Sequence, residues 1–108
     1  MPRESAFELS FEHHAGWLLA RAAGDLDLGT VSEIASAFED RPDEYVAFDL
    51  SGIRFIDSTG LEVLEELRDR RHMVMVAPSG VVRRILTLTE LTDDYEIVDA
   101  VDDLRPTS

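Results

Sequence analysis

The chain has 108 residues, 44% of them hydrophobic, and a formal net charge of -13 from 10 basic and 23 acidic side chains. That suits one domain, residues 1–108, with a modest core, and the acidity argues against the cationic face that nucleic acid or an anionic membrane would need. With no cysteine, disulfides, thiolate metal sites and thiol redox chemistry are excluded.

No apolar run approaches the ~18 residues that cross a bilayer. The start, "MPRESAFELSFEHH", lacks an apolar stretch of signal-peptide length. A cytoplasmic location without membrane insertion is expected. The acidity itself reads first as a solubilising surface and second as a complement to a basic partner.

Phe7, Leu9 and Phe11 alternate with Glu8, Ser10 and Glu12, which predicts a half-buried strand. His13 to Gly16 reads as a turn, and Trp17 to Ala23 as a second strand closing a hairpin. "GDLDLGT" breaks the pattern. From Gly29 to Phe38 the apolar positions Val31, Ile34, Ala35 and Phe38 make a helical stripe, and Thr30 with Glu33 fits a capping box at its start. Pro42 stops that helix. Tyr45 to Leu50 is a mostly apolar run of strand length, expected to be a central strand buried on both faces.

"SGIRF" then links to a helix over Gly60 to Arg71, with Leu61, Leu64, Leu67 and Arg71 near one face and Glu62, Glu65, Glu66 and Asp69 on the other. Met73 to Ala77 is a further buried strand, its methionines core filler. Ser79 can cap a helix carrying Val82, Ile85, Leu86 and Leu88. Tyr95 to Val98 is a last short strand, and "VDDLRPTS" is expected to make one turn and fray. Trp17 is expected against the sheet edge. The order β, β, α, β, α, β, α, β predicts a mixed sheet of four to five strands, parallel where helices cross over, with three to four helices packed mainly on one face.

The chemistry gathers in "FIDSTGLEVLEEL", Phe55 to Leu67. Ser58 and Thr59 are both candidate caps for the helix that follows, Thr59 through a possible box with Glu62. One cap needs one hydroxyl, so the second is free for other work, at the strand edge where open α/β sheets hold ligands. Catalysis by Ser58 lacks a placed base: the three histidines are His13, His14 and His72, and the G-x-S-x-G elbow is absent. Asp25, Asp27 and Asp57 could share Mg²⁺, but "DLD" lacks calcium-loop spacing; no metal is expected. No phosphate-binding glycine motif is present and every basic residue is arginine, so no nucleotide cofactor is expected. Modification remains. A phosphoryl group adds about -1.5 to -2 charges, which a helix start tolerates and a docked partner does not.

Asp57-Ser58-Thr59-Gly60-Leu61 resembles the D-S-[ST]-G-[LI] signature of STAS domains, in particular bacterial anti-sigma factor antagonists. "GDLD", Gly24 to Asp27, is similar to that family's turn after the second strand, and "VVRRILTLTEL" to its late helix. The order of elements matches over essentially the whole chain. The resemblance implies a partner switch rather than an enzyme. The unphosphorylated form would bind an anti-sigma factor that is also a serine kinase. Phosphorylation of Ser58, with Thr59 as second choice, would end that binding, and a phosphatase would restore it. Asp25, Asp27, Asp57, Ser58, Thr59, Gly60 and Glu62 are the implied partner-binding residues, Gly60 by letting the partner's backbone approach. The protein would be a monomer or weak homodimer.

This chain departs from the family's usual pattern at Glu62, at Thr89-Glu90-Leu91 and at Arg70-Arg71-His72, where glycines are common. The alternative is a STAS module serving another assembly, such as a lipid-transport complex, or sensing a ligand, without a phosphoryl switch. A hydrolase is the third reading.

Overall fold

A computed structural model describes residues 7–107. The strands are β1 (Phe7–His14), β2 (Trp17–Leu26), β3 (Tyr45–Ile56), β4 (His72–Val76) and β5 (Glu96–Val98), and the helices are α1 (Val31–Glu39), α2 (Ser58–Arg70) and α3 (Gly80–Leu88). One five-stranded sheet runs in the order β1-β2-β3-β4-β5. β1 is antiparallel to β2, and the other neighbours are parallel. This is the expected mixed sheet, with β3 at its centre.

Strand ends differ from expectation, for local reasons. The hairpin closes with only Ala15 and Gly16, both left-handed at φ 52° and 87°. A two-residue turn of this hand matches strand twist, so His13 and His14 stay in the ladder opposite Leu18 and Trp17 instead of joining the turn. β2 continues through Gly24 and Asp25 to Leu26, and β3 continues through the expected link to Ile56. The two remain paired to their ends, Asp25 against Phe55 and Leu26 against Ile56. Two irregularities in register interrupt this ladder, and such bulges erase the two-residue period that marks a strand in sequence.

All three helices cover one face. Leu18, Ala20, Leu26, Phe48, Leu50, Ile53 and Ile56 of the sheet are buried with Ile34 and Phe38 of α1, Leu61, Leu64 and Leu67 of α2, and Val82 and Leu86 of α3. Met73 and Met75 are in the same core, as expected. Ala35 and Leu88 lie outside it and are exposed, at the margins of their predicted stripes. The opposite face buries Trp17, Leu19, Ala47, Val74 and Val76 beneath Leu104.

Trp17 is therefore covered by the C-terminal segment: its indole N–H donates to the Arg105 carbonyl at 2.6 Å. The Thr107 N–H donates to the Ala15 carbonyl at 3.0 Å. The segment makes the expected turn, a 3-10 turn over Val101–Asp103, and is then tied down where fraying was expected, as far as Thr107, the last described residue.

The helix ends follow backbone demands that the side chains do not advertise. Thr30 precedes α1, yet its hydroxyl makes no cap bond. It turns back to donate to the Asp25 carbonyl at 2.7 Å and accept from the Asp27 N–H at 3.1 Å, so the expected capping box does not form. Ser79 likewise precedes α3 without capping it; its hydroxyl donates to the Ile53 carbonyl at 2.7 Å, tying α3 to β3.

At the far end of α3 the Leu91 N–H reaches the Leu86 carbonyl and the Glu90 N–H the Thr87 carbonyl. Glu90 takes φ 59°. That is the paired-bond helix stop usually built on glycine, made here with glutamate. α2 leaves through Arg71 in an extended conformation, which needs no glycine. Its guanidinium donates to the Phe38 and Asp43 carbonyls at 2.9 Å each.

Candidate functional site

β2, β3 and β4 are parallel, so the chain leaves all three at one edge of the sheet, and α1, α2 and α3 begin there. The motif from Asp57 to Leu61 is at the middle of that edge. The β2–α1 turn lies beside it, because the Asp57 N–H donates to the Leu26 carbonyl at 3.3 Å.

The cap of α2 is Asp57. Its backbone is extended, and its carboxylate accepts the Gly60 N–H at 3.0 Å while its carbonyl accepts the first helical bond from Leu61. Neither Ser58 nor Thr59 caps the helix, contrary to expectation; both are already inside it. Glu62 is the fifth residue of α2, exposed in its second turn, so it forms no box with Thr59. The capping stabilisation, about 1 kcal/mol, comes from Asp57 alone. Neither hydroxyl, Ser58 or Thr59, makes a hydrogen bond among the described residues. Ser58 is exposed and Thr59 half-buried.

Gly60 is buried, and the reason for a glycine is internal. A Cβ here would lie 2.2 Å from the Leu26 carbonyl oxygen and 2.9 Å from its carbon. The close approach it permits is between α2 and the end of β2 of its own chain, where a partner's backbone was the expectation. The D-x-x-G spacing thus encodes both the cap and the clearance, and sequence reasoning centred on the hydroxyls passed over it.

Asp25 and Asp27 flank Leu26 on the same edge. Asp25 lies 3.9 Å from the Arg54 guanidinium, a distance and exposure at which an ion pair contributes little. Asp27 accepts the Gly29 N–H at 2.9 Å and shapes the turn into α1. Asp25, Asp27 and Asp57 are each turned to a different group. Among the described residues no three acidic, histidine or cysteine side chains are grouped to hold a metal ion.

The histidines are remote from Ser58. His13 contacts Asp43 at 3.0 Å, His14 is opposite Trp17, and His72 packs on Tyr45 and Trp17, all at the opposite ends of the strands, so no histidine is beside Ser58. What the corner can do is present an accessible hydroxyl at a helix start, between acidic turns.

A family model described as "STAS domain" matches residues 8–104. An anti-sigma F factor antagonist of Paenibacillus polymyxa is 33% identical over 61 residues. That match spans about half of each protein, 53% of this chain and 52% of the relative. Among solved structures, an anti-sigma factor antagonist from Mycobacterium paratuberculosis superposes with TM-score 0.76 at 23% identity, covering 95% of this chain and 94% of that one. The Bacillus cell fate determinant SpoIIAA in its phosphorylated form gives TM-score 0.59 at 15% identity, covering 85% and 92%. At these identities the two structures show a shared fold.

Proposed function

The chain belongs to the STAS domain family, and we propose that it acts as an anti-sigma factor antagonist whose binding is controlled by a phosphoryl group on Ser58. The observation that carries this reading is the unused Ser58 hydroxyl: exposed, in the first turn of α2, and relieved of capping by Asp57. In the unphosphorylated state the edge bearing Asp25, Asp27, Asp57, Ser58, Thr59 and Glu62 meets an anti-sigma factor and displaces its sigma factor. That anti-sigma factor is also the kinase. Its base removes the Ser58 proton, the oxygen takes the terminal phosphoryl of ATP, and ADP leaves. A phosphatase reverses the modification. The role is regulatory, on a protein that works as a monomer or weak homodimer.

The likeness of fold to a protein solved in phosphorylated form supports this reading. So does the physics of the corner. The positive end of α2 favours an anion by ~0.3–1 kcal/mol, and the Asp57 carboxylate opposes it by a similar amount across solvent. The fold tolerates the dianion. Burying it unpaired under a partner costs several kcal/mol, and about 4 kcal/mol is a thousandfold in affinity.

The test is to incubate the protein with candidate anti-sigma kinases and ATP and to read intact mass. One added phosphoryl group is expected, lost in Ser58→Ala and kept in Thr59→Ala. No phosphoryl transfer from any of them, with tight binding to a subunit of a transport complex, would replace this reading with a STAS module of another assembly.

A further inference from the structure

Among the described residues five large hydrophobic side chains are exposed: Leu28, Tyr45, Phe55, Val81 and Leu88. Tyr45 has an internal explanation, since its ring packs 5.3 Å from His72 and 5.7 Å from Trp17. Leu88 is at the far end of α3, seven residues from Val81 and away from the strand-to-helix edge. The other three come from three successive strand-to-helix junctions of one edge: Leu28 follows β2, Phe55 is the last residue but one of β3, and Val81 is the second residue of α3, after β4. Leu28 is 74% and Phe55 49% exposed.

Neighbouring strands are about 4.8 Å apart, so the β2 and β3 junctions, level at Leu26 and Ile56, are adjacent, with Ser58 at the second; β4 ends at Val76 opposite Asp49, so the third junction is set back along β3. The pairing of Asp25 with Phe55 and the bond from Asp57 to Leu26 hold the first two junctions together. Ser79, bonded to Ile53, holds the third. Exposed Leu and Phe at junctions braced by backbone bonds have little backbone ordering entropy left to lose on docking, and covering each removes apolar area from water.

We propose that Leu28 and Phe55, with Val81 as a lesser contact, are the apolar anchors by which this edge grips its protein partner, and that the partner offers apolar pockets set in a basic rim. This rests on the function proposed above and names the side chains that carry its affinity. The basic rim follows from charge. Asp25, Asp27, Asp57 and Glu62 lie at the β2 and β3 junctions with Leu28 and Phe55, where Arg54 is 3.9 Å from Asp25, while Arg83 and Arg84 follow Val81 on α3; the chain as a whole carries a net charge of -13. A second copy of this chain, equally acidic, would be repelled. A standard interface covers about 800 Å² on each partner, enough to include the anchors and Ser58. A phosphoryl group on Ser58 is then placed among the contacts it must break.

The experiment measures the affinity of the unphosphorylated full chain for each purified anti-sigma kinase of the same genome, with Leu28→Ala, Phe55→Ala, Val81→Ala and Leu88→Ala as variants. Leu28→Ala and Phe55→Ala should each weaken binding about tenfold or more, Val81→Ala less, and Leu88→Ala not at all, with melting temperatures unchanged. Binding should weaken as salt rises. Wild-type affinity in both Leu28→Ala and Phe55→Ala, with Ser58 still accepting phosphate, overturns the anchors and leaves the switch intact. A wild-type chain that neither binds any such kinase nor accepts phosphate overturns both.

Discussion

Replacing Gly60 with alanine tests how β2 and α2 are joined. The new Cβ would be 2.2 Å from the Leu26 carbonyl oxygen and 2.9 Å from the Leu26 Cγ, against ordinary contacts of about 3.5 Å or more. One of the two backbones must move by about 1 Å. The Leu26 carbonyl also accepts the Asp57 N–H, so moving it sacrifices a bond of ~1 kcal/mol on top of an overpacking cost of ~1–3 kcal/mol.

Alanine regains ~1 kcal/mol of helix propensity over glycine, leaving a net loss of roughly 1–3 kcal/mol. At about 4–8 °C per kcal/mol for a small domain, the melting temperature should fall by roughly 5–20 °C. Gly80→Ala is the matched control: it opens α3, and a Cβ there meets nothing within 4 Å, so only the propensity gain remains and stability should hold or rise. Circular dichroism during thermal and urea unfolding reads both variants. A Gly60→Ala protein as stable as wild type would refute the close packing of α2 on the end of β2.

Asp57→Ala should cost about 1 kcal/mol by loss of the cap, while Ser58→Ala and Thr59→Ala stay within ~0.5 kcal/mol; urea midpoints check the ranking, and a Ser58→Ala loss equal to that of Asp57→Ala would reassign the cap. Glu90→Gly should stabilise by roughly 1 kcal/mol, because Glu90 holds a left-handed conformation at φ 59° that glycine adopts without strain; a lowered melting temperature would count against it. The Tyr95 hydroxyl is buried without a hydrogen-bond partner among the described residues. Burial pushes its pKa up to about 12 from 10, against the pull of Arg68.

The unfolded chain therefore releases this proton first, so stability is undiminished below pH 10 and declines between 10 and 12 by roughly 2–3 kcal/mol. Tyr95→Phe should remove that alkaline decline in urea titrations across this range. Ser58→Glu should leave the melting temperature within a few degrees, since helix-end attraction and repulsion from Asp57 nearly offset, while abolishing detectable partner binding by calorimetry.

Periodicity made the helices and the central strands legible, because Ile34, Phe38, Leu61, Leu64, Leu67, Val82 and Leu86 fall on buried stripes. The strand ends were hidden where bulges between β2 and β3 put glycine and charge into the ladder. The location of the motif at a strand-to-helix junction was readable, but the division of labour within it was not. Ser, Thr and Asp are all good caps, and only coordinates show that Asp57 took the duty while Thr30 and Ser79 turned their hydroxyls to other backbones. The unusual Glu90 was visible as a missing glycine; that the backbone keeps glycine's geometry regardless was not. Nor does a sequence reveal that Leu28, Phe55 and Val81, far apart in the chain, converge on one edge, since that depends on parallel pairing.

The Asp57 cap has a consequence for descent. Because folding makes no demand on the neighbouring hydroxyl, a single codon change at position 58 can remove or restore that hydroxyl without passing through an unstable ancestor. The side chain at this corner is free to drift, be lost and be regained over a scaffold that stays the same.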